Sequence, residues 1–448
     1  MLGFVAVILL VIGLIHLYLW KRLVRDTLRP GRGRNAGTAL IVVLGVLVPL
    51  TLIGVRAGYF KWLSWPGYLW IAVMFYLLVT LVALEIPRLA VKLLWVRGSR
   101  TEKATTETAS GTGEAELQPV SAVSASGATE TAPSPAGPAD RAGAGPTDKA
   151  DGGVAVEKPG GKPDGKPDEK GDEPEGIDRR LLLARGAAIF AGLTAAGVTG
   201  YGVRTATSAP QIDRVQIPLA KLPRAMDGTR LAVVSDIHIG PLTGINHARR
   251  IVQVINSVNA DLVCVVGDLV DGSVAELGEF AAPLAGIESR NGTFFVTGNH
   301  EYYSGHEQWV EEVARLGMRP LRNERVEING LDLAGVNDLN GEEFDDGPDF
   351  AGTLGDRDRN RPVVLMAHQP LAAVQAAPYG VDLQLSGHTH GGQMAPFNYL
   401  VKLQQPVVSG FGKVDGVPVY VTNGAGFWGP PVRVGAPPQV TVIELRAK

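Results

Sequence analysis

Five short apolar runs between residues 231 and 390 each break off at a residue of metal-ligand type. LAVVSDIHIG carries Asp236 and His238, LVCVVGDLVDG carries Asp268, and FFVTGNHEYY carries Asn299 and His300. VVLMAHQP carries His368, and VDLQLSGHTHGGQ carries His388 and His390. A short apolar run bounded by turn residues reads as a buried strand. In open α/β sheets, functional residues collect where strands end. One Asp-x-His pair is a weak signal. Five of the chain's eight histidines at such ends are a strong one. Carboxylate, amide and imidazole donors together suit divalent Zn, Mn or Fe.

The stretches between these ends alternate. Residues 246–258 place Ile251, Val254, Ile255 and Val258 at helical spacing, with Asn246 as the expected N-cap. A helical segment is expected near 280–287, and a strand at 293–296. Residues 306–316 put Trp309, Val310, Val313 and Leu316 on one helix face. Asn329-Gly330 between two apolar stretches is a hairpin signal. Strands are expected at 215–219, 363–366, 382–385, 417–422 and 439–445. Strand–helix alternation that gives way to hairpins predicts two mixed sheets with helices outside. The acidic stretch 340–360 has no calcium-loop spacing, so it reads as a solvated loop or lid. The single cysteine, Cys264, lies in an apolar strand and excludes an internal disulfide framework. A net charge of −3 gives no pull toward nucleic acid, and no nucleic-acid partner is expected.

The first quarter of the chain has a different character. Residues 4–20, 39–55 and 68–84 are apolar runs approaching the ~20 residues a spanning helix needs. Trp65, Tyr68 and Trp70 fit an interfacial belt. The basic residues follow the first run, which argues against a cleaved signal peptide. His16, inside that run, is assigned no role. Lys21, Arg22, Arg25, Arg29, Arg32 and Arg34 crowd the first loop, whereas the second holds Arg56 and Lys61. The positive-inside rule puts the first loop and the tail after the third run in the cytoplasm. Residues 1–98 are therefore expected to be a membrane domain of three transmembrane helices. Residues 99–178 are poor in aromatic and branched apolar residues and are expected to be a disordered cytoplasmic linker. Arg179, Arg180 and Arg185 precede GAAIFAGLTAAGVTGYGV and resemble a twin-arginine signal set inside the chain. Residues 179–204 are the expected fourth span, and 211–448 the catalytic domain, outside the cytoplasm.

Read in order, D-x-H, G-D, G-N-H-E, H and G-H-T-H are similar to the calcineurin-like metallophosphoesterases over roughly 215–446. GHTHGGQ and GFWGPPVRVGAPP resemble a bacterial membrane-tethered branch. The resemblance implies a four-layer αββα sandwich holding two divalent metal ions (Mn, Zn or Fe). Asp236, His238, Asp268 and His390 would hold one ion. Asp268, Asn299, His368 and His388 would hold the other. It also implies hydrolysis of phosphate mono- or diesters by hydroxide bridging the metals, with His300 protonating the leaving oxygen. Independently of the resemblance, one carboxylate can span ions ~3.5–4 Å apart. Gly267, Gly298 and Gly387 allow tight turns before ligands. Glu301 is expected to orient His300, while His247 and His306 read as core or rim residues. In the rim 424–438, Trp428 and Arg433 are candidate substrate contacts. Trp428 would stack on a base or pack on lipid, and Arg433 would grip a second phosphate. The expected partners are a phosphate-ester substrate, lipid-linked or from the cell envelope, and the bilayer. Two other readings stay open: a cytoplasmic-side lipid-linked pyrophosphate hydrolase, and a membrane scaffold with a structural metal site.

Overall fold

The computed structural model describes residues 2–55, 57–108 and 179–448. The chain divides into two units, Met1–Arg88 with Arg179–Lys448, and Leu89–Asp178. Four long helices come first: α1 (Leu2–Leu19), α2 (Arg32–Pro49), α3 (Ser64–Thr108) and α4 (Arg179–Thr207). Among the described residues, four stretches are long and apolar enough to cross a membrane: Val5–Arg25, Arg32–Val55, Lys61–Pro87 and Arg180–Thr207. Their outward faces stay apolar, with Leu10, Val43, Leu183 and Leu193 exposed. A helix that is apolar all round needs protein or lipid on every side. The helix α3 runs past position 98, so the first residues assigned to the linker are helical. The expected disorder over 109–178 lies outside the described residues.

Twelve strands build the rest: β1 (Gln211–Leu219), β2 (Arg230–Val234), β3 (Leu262–Val266), β4 (Thr293–Val296), β5 (Arg319–Pro320), β6 (Glu324–Ile328), β7 (Leu331–Gly335), β8 (Val363–Met366), β9 (Leu383–Ser386), β10 (Gly410–Val414), β11 (Val417–Val421) and β12 (Gln439–Ala447). They form two six-stranded mixed sheets, ordered β1-β12-β2-β3-β4-β5 and β10-β11-β9-β8-β7-β6. The sheets face each other through Leu231, Val233, Cys264 and Val266 on one side, and Leu333, Val364, Met366 and Leu385 on the other. Side chains alternate along a strand, so Ala232, Val234, Val263 and Val265 point away from that core. They pack under α5 (Ile245–Ser257), α6 (Val274–Ala281) and, past the short α7 (Asn299–Ser304), α8 (His306–Arg315). The outer face of the second sheet is covered by α9 (Phe350–Leu354) and α10 (Ala373–Ala376). This is the αββα sandwich. Burial on both faces is why its central strands read as unbroken apolar runs. Trp309 is fully buried against the first sheet, and its truncation to Ala would cost about 3–5 kcal/mol.

Local expectations were corrected at three places. Asn246 lies inside α5, whose cap position is Gly244. The helix expected near 280 begins at Val274, where Ser273 and Glu276 form a reciprocal capping box. The acidic stretch, expected to be a solvated loop or lid, is largely exposed but is only partly loop. It folds into short helical turns around Asp346, which bonds Arg322, Tyr302 and Asn337. The Asn329-Gly330 turn has left-handed φ at both residues, the geometry that two-residue hairpins prefer.

Candidate metal centre

Every ligand-type residue follows the last residue of a strand. Asp236 and His238 follow β2, Asp268 follows β3, Asn299 follows β4, His368 follows β8, and His388 and His390 follow β9. The β2-β3-β4 and β7-β8-β9 neighbours pair in parallel, so these ends share an edge in each sheet. The turns are strained. Asp236, His238, Asp268, His388 and His390 all have φ between 49° and 69°, a region costly for residues with a Cβ. The three glycines serve different ends. Gly267 adopts a φ of 77°. A side chain at Gly298 would run into Asp268, and one at Gly387 into Ser235 and Asp236.

Two donor sets result. The donor atoms of Asp236, His238 and His390 lie within 4.8 Å of one another, as do those of Asp268, His368 and His388. In the first set, His238 Nε2 is 3.0 Å from His390 Nε2, and His390 Nε2 is 3.3 Å from Asp236 Oδ1. In the second, His368 Nε2 is 3.1 Å from Asp268 Oδ2, and His388 Nδ1 is 3.0 Å from Asn299 Oδ1. Asp268 Oδ2 is also 3.9 Å from His238 Nε2, so this carboxylate lies between the sets. His300 joins His238 and Asp268 in a third grouping within 4.8 Å.

The supporting contacts decide which nitrogens are free. His238 Nδ1 and His300 Nδ1 lie 2.8 and 2.7 Å from Asp271 Oδ1, and His368 Nδ1 lies 2.8 Å from Val266 O. For His238 and His368, a proton on Nδ1 leaves Nε2 bare and facing the cleft, the usual support of a metal-ligating imidazole. His368 Nε2 is buried without a well-formed hydrogen bond. Two acceptors at 3.1 Å need a proton or a cation between them, and a divalent ion fits that requirement. His390 fits less directly. Arg433 Nη2 is 3.1 Å from its Nδ1. A guanidinium can only donate, so this contact favours a proton on Nε2, where a metal would bind.

Burial alone would raise Asp271, but the His238 charge and the bonds from His238 and His300 hold its carboxyl below the usual range. Burial alone would lower His300, but Asp268 and Asp271 outweigh it and raise the imidazole to about 9. His388 is pushed down to about 3 by burial and by the neighbouring His368 charge.

Several residues were misread or missed in sequence. Glu301 does not orient His300. Its buried carboxylate accepts from the Asp268, Leu269 and Gly298 N–H groups and so holds two ligand turns together. Arg433, expected to grip a substrate phosphate, is fully buried, with its guanidinium taken up by protein groups. Its Nε and Nη1 donate to the carbonyls of Gly426, His390, Asn423 and Ala436. Asp271 was overlooked, although it sits three residues after Asp268 in GDLVDG. Trp428 lies where the rim was expected. It is half exposed, its ring is 5.9 Å from that of His300, and Gln393 grips its backbone N–H and C=O. Tyr303 lies 5.6 Å from the same imidazole. His247 is a core residue bonded to Ile237 O, and burial lowers it to about 4. His306 stacks on Tyr302.

Carboxylate, amide and imidazole donors delivered from five strand ends to one cleft define an α/β sandwich with a candidate metal centre. A family model described as calcineurin-like phosphoesterase matches residues 229–392. A transmembrane protein with metallophosphoesterase domain from Danio rerio is 37% identical over 260 residues, 55% of this chain and 60% of that protein. An uncharacterized metallophosphoesterase of Helicobacter pylori strain J99 is 38% identical over 243 residues, 53% of this chain and 65% of that one. The matched region spans under two thirds of both relatives. An uncharacterized metallophosphoesterase of Aquifex aeolicus is 34% identical over 245 residues, 53% of this chain and 92% of that protein. The chain belongs to the calcineurin-like metallophosphoesterases.

Proposed function

We propose that the chain is a membrane-anchored hydrolase of phosphate mono- or diesters that binds two divalent ions. The observation that carries this reading is Asp268, whose carboxylate lies between two donor sets while His300 faces the same cleft. Asp236, His238, Asp268 and His390 would hold one ion, and Asp268, Asn299, His368 and His388 the other. Ions held there supply Lewis acidity toward phosphoryl oxygens and make water a nucleophile near neutrality. His300 is oriented by Asp271 and carries a proton to the leaving oxygen. Trp428 and Tyr303 wall the side of the cleft where the leaving group departs. The test is a screen of the purified chain, reconstituted with Mn or Zn, against phosphate mono- and diesters, with the ions counted by elemental analysis. Hydrolysis with two ions per chain is expected. No hydrolysis by a chain carrying both ions would leave a scaffold.

The catalytic half is assigned to the outside of the cytoplasm, because its contacts gather at one end of the helix bundle. Arg185 Nε donates to Thr27 O at the end carrying the basic first loop. Lys61 pairs with Glu276 at 2.8 Å, Gly429 lies against the Tyr68 ring, and Arg433 N–H donates to Gly202 O at 2.9 Å. All three contacts involve the opposite ends of the spans. A reporter active only outside the cytoplasm should be active when fused after Lys448 and silent when fused near Gly160. The reverse result at Lys448 would move the site to the cytoplasmic face.

A further inference from the structure

The chain leaving the metal centre turns apolar at once. Gly392, two residues after His390, packs so closely on Asn398 that no side chain would fit. Around Asn398, within the short helix α11 (Asn398–Val401) and its flanks, Phe397, Tyr399, Leu400 and Leu403 are all exposed, Leu403 to 84%. Clustered exposed apolar side chains mark a binding surface. What covers this one follows from its neighbours.

The patch is continuous with the membrane-spanning helices. Met394 and Val432 belong to the same apolar cluster as Ala72, Tyr76 and Ala195 of α3 and α4. The Phe397 ring lies 6.4 Å from that of Phe75 in α3. The helix itself gives the level. Tyr59, Trp62 and Trp65 lie exposed around the start of α3, the position of an interfacial aromatic belt. Gly429, next to Trp428, lies against Tyr68 at about that level. Phe75 is seven residues further along α3, about 10 Å deeper at 1.5 Å per residue. Phe397 therefore reaches below the aromatic level, while Trp428 and the cleft mouth stay near it. Lys402 Nζ lies 5.7 Å from the Tyr399 ring, where a lysine stem can lie on apolar surface and keep its charge in the headgroups.

We propose that the segment Phe397–Leu403 inserts into the outer surface of the bilayer that holds the spans, and that the metal centre acts on phosphate esters carried by lipids of that surface. The substrate clause rests on the phosphoesterase reading above. The anchor clause does not.

The full chain in nanodiscs of phosphatidylethanolamine and phosphatidylglycerol tests both clauses. Cys264 is buried, so a Leu403→Cys variant takes a polarity-sensitive fluorophore at that position. Blue-shifted emission, quenched by lipids brominated in their acyl chains, is expected. Water-like emission without quenching overturns the anchor. The Tyr399→Glu/Leu400→Glu/Leu403→Glu variant should hydrolyse bilayer phosphatidate about 10²-fold more slowly, as the spans still hold the chain but the cleft mouth is no longer held in position at the lipid surface, and should keep the wild-type rate on soluble nitrophenyl phosphate. Leu403→Glu alone serves if the triple variant is misfolded. A wild type that cleaves only the soluble ester overturns the lipid substrate, and equal rates of variant and wild type on phosphatidate overturn the part of the segment in reaching it. A wild type that cleaves neither ester overturns the phosphoesterase reading, and the label at 403 still decides the anchor.

Discussion

The two donor sets differ in what holds them. The second set, around His368 and His388, is fixed from within the sandwich. Val266 O orients His368, and the buried Glu301 ties the turns after β3 and β4 through backbone N–H groups. The first set, around His238 and His390, is fixed by charged side chains. Asp271 holds His238, and Arg433 holds His390. Arg433 in turn donates its own N–H to Gly202 of α4. One set answers to the fold, and the other answers also to the membrane helix. An outer acceptor such as Asp271 is typically worth about 10–100-fold in metal affinity, whereas the Arg433 contact works against a bare Nε2 on His390, so the two sets should respond differently to the same kind of damage.

The severest test removes what they share. Asp268→Asn should drop metal content below one ion per chain and abolish hydrolysis. A variant that keeps one tightly held ion would mean that Asp268 serves one set only. Next in size is His300→Ala, which removes an imidazole assigned to neither ion. It should keep both ions and lose about 10²–10⁴-fold on alkyl esters, with a smaller loss on nitrophenyl esters, whose leaving group needs no proton. Equal losses in parallel assays on the two esters would remove the acid role.

Arg433→Lys separates the sets. Lysine keeps the charge but not the planar fork. Calorimetric titration should show the affinity of one site changed, as the fork on the His390 carbonyl and Nδ1 is lost, and that of the other unchanged. Uniform weakening of both sites would erase the distinction. The smallest effect is expected from Gly202→Val. Its side chain would press on Val432 and Val434 and shift Arg433 by way of α4. Effects relayed this way run at about 0.5–2 kcal/mol, here confined to the first site. A change confined to the second site would show that α4 does not act through Arg433.

The same contrast explains what could be read in advance. Ligands at strand ends are legible because the apolar run and the polar break are both local. Two mixed sheets with outer helices followed from those runs and from the Asn329-Gly330 hairpin, and the αββα layering from the family resemblance. Arg433 was misplaced because burial is not local: its carbonyl partners span Asn423 to Ala436, and His390 lies 43 residues away. The contact of Gly202 with Val432 depends on docking that no spacing reveals. Asp271 and the Ser273–Glu276 box were legible and went unused. Each looked like an ordinary acidic turn beside a stronger motif.

The five ligands with left-handed backbone also imply an order of assembly. Strained φ/ψ persists only where its surroundings over-determine it, here by strands that end on either side of the cleft. An ion has nothing to bind until those strands are in place. An ion bound there would therefore be a late guest and not a folding nucleus. Chelation should empty the cleft and leave the sandwich standing, unlike small domains whose fold is drawn together by their metal.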